Sequence, residues 1–188
     1  MNNDSLNKAQ KALEEVKQRV AQGNFISSYR VGDHDDNFAV FQRFLIIGDS
    51  PVVRWQIEHA QVVQAISLKE AVHSAADRRR AIRNAYPKDC YRNAIKVSKK
   101  LGAMYCEGWV SQSGMPLIRH AWNGLGESYF DVTAEQFLNW TPDLTIYVMT
   151  LAISAEEAQA LWKQRSGFDF SGGEVLSSIY WRKHYCPA

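Results

Sequence analysis

Three side chains in this 188-residue chain have the types and spacing to do nucleophilic chemistry together: Cys90, His120 and Asp131. A thiol acts as a nucleophile when ionised, so it needs positive surroundings and a base within reach. Cys90, Ala94, Val97 and Leu101 recur at i, i+4, i+7 and i+11, one face of a helix, with Cys90 in its first turn. Backbone N–H groups of a first turn lack intrahelical acceptors and favour negative charge nearby. Asp89 is a candidate cap whose own charge opposes that effect. His120 shares one strand face with Ile118 and Trp122. Pairing Leu117–Trp122 with Glu127–Val132 around Asn123–Gly126 sets His120 opposite Tyr129, with Asp131 a diagonal neighbour on the same face. A one-residue slip would send Asp131 to the other face, whereas a two-residue slip would keep it. A carboxylate beside an imidazole fixes its tautomer and stabilises its charged form, the base-and-orienter half of a nucleophilic triad.

The elements that must position these groups follow from periodicity. Leu6, Ala9, Leu13, Val16 and Val20 predict an amphipathic helix from Asp4 to Gln22, ended by Gly23. Phe25–Arg30 and Phe38–Ile47 read as strands of a hairpin around the polar run Gly32–Asn37. Pro51–Tyr86 reads as two helices, with a capping box at Ser67 and Glu70. The Cys90 helix runs from Asp89 to Leu101 and stops at Gly102. Strands follow at Met104–Val110, Leu117–Asn123 and Ser128–Val132, turned by Gly114, Gly124 and Gly126. Thr133 and Gln136 are placed to cap a short helix through Trp140. The nearly continuous apolar run Thr145–Ile153 reads as a central strand buried on both faces, and Ser154 with Glu157 opens a helix to Arg165. The result is an α+β fold with a helical N-terminal half packed on a mostly antiparallel sheet. We divide this single domain, 1–188, into an N-terminal helix, hairpin and helical lobe (1–88), a core with the Cys helix and antiparallel strands (89–165) and a C-terminal extension (166–188).

Composition narrows the partners. Apolar residues make up 46% and charged residues 22%, as in globular rather than disordered chains. Twenty-two Lys and Arg against twenty Asp and Glu give +2, which argues against a nucleic-acid binder by bulk charge. Three cysteines without framework spacing fit a reducing compartment, and the polar start MNNDSLNKAQ is unlike a secretory signal. With no run long and apolar enough to span a bilayer, the expectation is a soluble, cytoplasmic protein. Gly32-Asp33-His34-Asp35-Asp36 lacks the spacing of a calcium loop, and no zinc or nucleotide motif is present, so neither metal nor cofactor is expected. Asp77-Arg78-Arg79-Arg80-Ala81-Ile82-Arg83 reads first as a solvated helix face. Its alternative is a site for phosphate or an acidic substrate near Cys90. Cys106 reads as core, Cys186 as incidental.

The strings Asp89-Cys90-Tyr91-Arg92-Asn93-Ala94, His120-Ala121-Trp122 and Tyr129-Phe130-Asp131-Val132-Thr133 together resemble the transglutaminase-like branch of papain-fold enzymes. That family sets a nucleophilic Cys at a helix start, a His in an H-A-W-like strand and an Asp in a following strand with a D-x-T-like ending. The resemblance covers about a quarter of the chain, from Cys90 to Thr133. Val132 stands where many members have Pro, and the Cys-to-His spacing is compact, which marks a remote member. The resemblance implies a papain-like core and acyl transfer on an amide, either a peptide bond or a glutamine side chain. Cys90 would form a thioester, His120 would hand its proton to the leaving amine, and Asp131 would orient His120. Water or an amine would finish the reaction, as in a thiol protease, a deamidase or an acyltransferase acting on a protein or peptide without a cofactor. For the oxyanion the candidates are the backbone N–H of Cys90 and the side chains of Asn93, Tyr105 and Trp109, with Trp122 as a substrate-binding wall. Two other expectations compete. One is a catalytically silent binding or inhibitory protein of the same fold; the other is a nucleic-acid-associated protein using the Arg78–Arg83 face.

Overall fold

The computed structural model describes residues 3–23, 50–112, 117–164 and 175–186. Helix α1, Asn3–Ala21, buries Ala9, Leu13, Val16 and Val20 as its periodicity predicts, and the chain leaves it through Gly23 in the left-handed region at φ 73°. The two strands expected at Phe25–Arg30 and Phe38–Ile47 lie outside the described residues. Where the sequence suggested two helices between Pro51 and Tyr86, there are three and a strand: α2 Pro51–Glu58, β1 Gln61–Val63, α3 Leu68–Ala71 and α4 Ala75–Ile82. The missed strand is too short for a period of its own and exists through its pairing with a distant strand. Ser50, Ser67 and Ser74 cap α2, α3 and α4, and Ser67 with Glu70 forms the full reciprocal box.

Helix α5, Cys90–Leu101, carries the expected inward stripe and ends at Gly102, φ 65°. Then come β2 Met104–Gln112, β3 Ile118–Leu125, β4 Ser128–Phe130, a π-helical turn Ala134–Leu138, and β5 Thr145–Ile153. Helices α6, Ala155–Gln164, and α7, Leu176–Tyr185, complete the described chain. The five strands run β1-β5-β2-β3-β4 with every neighbouring pair antiparallel, and β5 is flanked on both sides as its apolar run implied. Past β1 the chain bridges to the opposite edge: Ala65 pairs with Tyr129, and the Ile66 N–H donates to the Tyr129 carbonyl at 2.7 Å. This contact curls the sheet toward a half-barrel.

Two apolar regions line the faces. Cys106, Val110, Trp122, Tyr147 and Met149 cluster on one face with Val63 and Ala65. On the other, α1 and α2 cover Trp109 and Val148, while α5, α6 and α7 cover Tyr105, Ala121, Leu151 and Ile153. The β3–β4 register differs from the expected one: Gly124, rather than His120, pairs with Tyr129, so the turn tightens to Gly126-Glu127. The slip is even, so every side chain keeps its face. The short helix expected after Thr133 is the π-helical turn, and its first N–H is capped by Asp131 rather than by Thr133. No described helix is long and apolar enough to cross a membrane.

β2 and β5 fit closely at one place. Their register shifts between Glu107 and Gly108, and a Cβ on Gly108 would stand 2.0 Å from the Val148 carbonyl oxygen. Gly124 is less constrained, since its nearest neighbour would be the movable Tyr129 ring at 3.3 Å. Gly108→Ala is therefore expected to destabilise the protein by about 1–3 kcal/mol or more. Urea unfolding will show this as a lowered midpoint at unchanged slope, with Gly124→Ala shifting the midpoint less.

Candidate active site

Strand β3 carries His120, and the chain leaving β4 carries Asp131. Both are 3% exposed, and His120 Nε2 donates to Asp131 Oδ2 at 2.7 Å. The same carboxylate oxygen accepts the Tyr147 hydroxyl of β5 at 3.2 Å, and Oδ1 accepts the Ala134 N–H at 2.9 Å. A buried carboxylate is costly unless its lone pairs are used, and here three donors from three segments use them. The Trp140 ring lies 6.1 Å from the imidazole, centroid to centroid.

Cys90 opens α5, half-buried, and stands close enough to the His120 ring to act on its pKa. With Nε2 on Asp131, the ring nitrogen left for Cys90 is Nδ1. Strand β4 pairs only with Asn123–Leu125, so it leaves the β3 edge at His120 uncovered, and the first turn of α5 comes to that end through Asn93. Burial by itself lowers the His120 pKa, but the charges of Asp131 and then Cys90 outweigh it and raise it to about 10. At neutral pH the ring is an imidazolium.

The chain enters α5 through a constrained loop in which Asn84 and Lys88 are left-handed, at φ 63° and 61°. Asn93 holds this loop: its Oδ1 accepts the Tyr86 N–H at 3.1 Å, and its Nδ2 donates to the Tyr86 carbonyl at 2.8 Å. The same Nδ2 donates to Thr133 Oγ1 at 3.0 Å. Asn93 thus ties the approach to Cys90 to the segment just after Asp131. Asp89 occupies the cap position, yet its side chain makes no cap hydrogen bond; the carboxylate faces Arg92 at 3.8 Å.

Of the four side chains expected as oxyanion or substrate partners, three are engaged elsewhere. Asn93 is spent on Tyr86 and Thr133. The Tyr105 hydroxyl donates to Glu107 Oε2 at 2.7 Å. Trp109 packs in the α1–α2 core with the Arg119 guanidinium 4.9 Å from its ring centroid. Trp122 is buried edge-on to Tyr147 at 5.1 Å. Its indole N–H is buried without a hydrogen-bond partner. Cys106 lies in the core, its thiol pushed up to about 12 by burial, and Cys186 is exposed.

Sequence reading overlooked Tyr147 and Glu107. Tyr147 left a faint trace, one of three hydroxyl side chains in an otherwise apolar strand. Glu107 is fully enclosed on β2 and accepts the N–H groups of Leu176 and Ser177 at 3.0 and 3.2 Å, along with the Ser177 hydroxyl. Burial first, against these donors, raises its pKa. It anchors the start of α7, so the C-terminal helix is fastened into the core rather than appended to it.

Comparison with protein-family models, with curated proteins and with solved structures finds no match to this chain.

The His120 proton offers a direct test. Because its folded pKa lies above the ordinary value near 6.5, its stabilising contribution is full below about pH 6.5 and fades as pH rises toward 10. Nitrogen-15 NMR should find the His120 ring doubly protonated through pH 8 in the native protein. In Asp131→Asn the ring should titrate below neutrality, and the loss of unfolding free energy between pH 7 and 10 should shrink.

Proposed function

We propose that the chain is a cysteine-dependent hydrolase or acyltransferase of transglutaminase-like, papain-related type, acting on an amide of a protein or peptide through a thioester. One observation carries the reading. A single buried imidazole donates through one nitrogen to a buried carboxylate and has a half-buried helix-start thiol close enough to act on its charge. A mixed fold with the thiol on a helix and the base on an antiparallel strand is in keeping with it.

Beside the protonated His120 ring, Cys90 Sγ attacks the amide carbon as a thiolate. Charge then develops on the carbonyl oxygen. The Cys90 backbone N–H, at the start of α5 and without an intrahelical acceptor, is the candidate donor to that oxygen. His120 passes its Nδ1 proton to the leaving nitrogen, the C–N bond breaks and a thioester remains. Part of the raised His120 pKa comes from the Cys90 charge. Bond formation at sulfur removes that charge, so the proton is released when the leaving group needs it. Neutral at Nδ1, His120 next takes a proton from water or an amine, which attacks the thioester. An acid or a new amide departs and the thiolate–imidazolium pair is restored. Asp131 holds the Nε2–H throughout.

Alkylation by iodoacetamide, read site by site by mass spectrometry, tests this without a known substrate. Native Cys90 should react at least about ten times faster than exposed Cys186, and buried Cys106 should be inert. His120→Ala should bring Cys90 down to the Cys186 rate. Equal rates for Cys90 and Cys186 in the native protein would overturn the proposal.

A further inference from the structure

Charge is distributed very unevenly along this nearly neutral chain. Residues 77–101, which hold α4, the loop and α5, contain nine Lys and Arg and two Asp, a balance of +7. The whole chain carries +2, so everything else carries −5. Helices α4 and α5 pack on each other, so this charge shares one region of the surface. Both Asp are already in that balance, Asp77 against Arg80 at 3.0 Å and Asp89 against Arg92 at 3.8 Å.

Part of the positive charge is held in place by backbone carbonyls, which bind the cations without neutralising them. Arg78 donates to the carbonyls of Val72 and His73, and Arg80 donates to that of Lys100. Lys100 in turn donates to the carbonyls of Arg80 and Arg83, and Lys96 to that of Asn84. Around this frame Arg79, Arg83, Lys88, Arg92 and Lys99 are exposed. The crowding has a cost. Lys100 is lowered in pKa by burial first, and then by the like charges of Lys96, Arg83 and Arg80. A face that gathers mutually repelling cations is relieved by a polyanion.

We propose that the α4–α5 face is the docking surface for an acidic, Asp- and Glu-rich segment of the protein substrate. Lys88 and Arg92 stand two residues on either side of Cys90, and α5 extends the track for about 18 Å along its axis. An acidic segment laid there delivers the adjoining amide to the sulfur. A peptide suits the face better than a nucleic acid. Single strands are held by exposed aromatic rings on which bases stack. The exposed aromatic here, Tyr86, already carries Lys96 4.8 Å from its ring centroid. A long polyanion that overran the patch would also meet the net negative remainder of the chain. The link to Cys90 chemistry rests on the function proposed above, whereas docking itself does not.

The test uses full-length Cys90→Ala protein, so that binding is read without turnover. The probes are a fluorescent 12-residue Asp/Glu peptide, a neutral peptide of equal length and a 20-nucleotide single-stranded RNA. The acidic peptide should bind with an affinity that falls steeply with salt, and the neutral peptide should not bind. Arg79→Glu, Arg83→Glu and Lys99→Glu together should weaken the acidic peptide at least tenfold. The same three changes in a Cys90-containing protein should leave its iodoacetamide rate unchanged, which separates failure of docking from failure of the nucleophile. Acidic-peptide binding that is absent, or unaffected by the charge reversals, overturns the proposal. RNA bound more tightly than the acidic peptide also overturns it, in favour of a nucleic-acid face.

Discussion

The Asp131 carboxylate is where the structure's demands meet. An ion pair taken out of water loses several kcal/mol of hydration per charge, and geometry must return it. Here Oδ2 receives both the His120 imidazolium and the Tyr147 hydroxyl, while Oδ1 closes the turn at Ala134. These donors come from β3, from β5 and from the segment after β4, so satisfying one side chain fixes three stretches of chain relative to each other. The imidazole cannot swing without leaving a buried carboxylate short of a partner.

Placement of the sulfur has a separate cause. The half-barrel brings the outgoing chain of β1 against β4 at Ala65 and Tyr129, and β2 and β5 approach closely at Gly108. Across this frame Asn93 bridges Tyr86 before the Cys90 helix and Thr133 after Asp131. One amide side chain thereby couples the position of the loop before Cys90 to that of the turn after Asp131. An uncharged group can do this while leaving the field at the imidazole to Asp131 and Cys90.

Glu107 is an instructive contrast, because it is a second buried carboxylate with no comparable chemistry. Its partners are the Tyr105 hydroxyl and the N–H groups and hydroxyl at the start of α7. Those are neutral donors that cannot carry a proton to a reacting atom at neutral pH, so Glu107 binds a helix to the sheet and goes no further. Asp131 differs in holding a titratable ring whose second nitrogen faces a thiol. Burial alone does not distinguish the two acids; the identity of their partners does.

Much of the frame was legible in the chain itself. Helical spacing marked α1 and the Cys90 helix, and Ser67 and Ser154, each three residues ahead of its N–H partner, marked two of the caps. An unbroken apolar run marked β5, and alternation placed His120 and Asp131 on one face. Less legible was the offset between β3 and β4, because a period of two fixes which face a residue takes but not which residue lies opposite. Asp131, read as the orienter of His120, also caps the turn that follows, since a carboxylate has two oxygens. The short strand β1 and the commitments of Asn93, Tyr105 and Glu107 arose only on folding. Local sequence determines periodicity and therefore faces; hydrogen-bond partners are chosen among groups far apart in the chain, so only the tertiary structure decided which donors are spent and which face the sulfur.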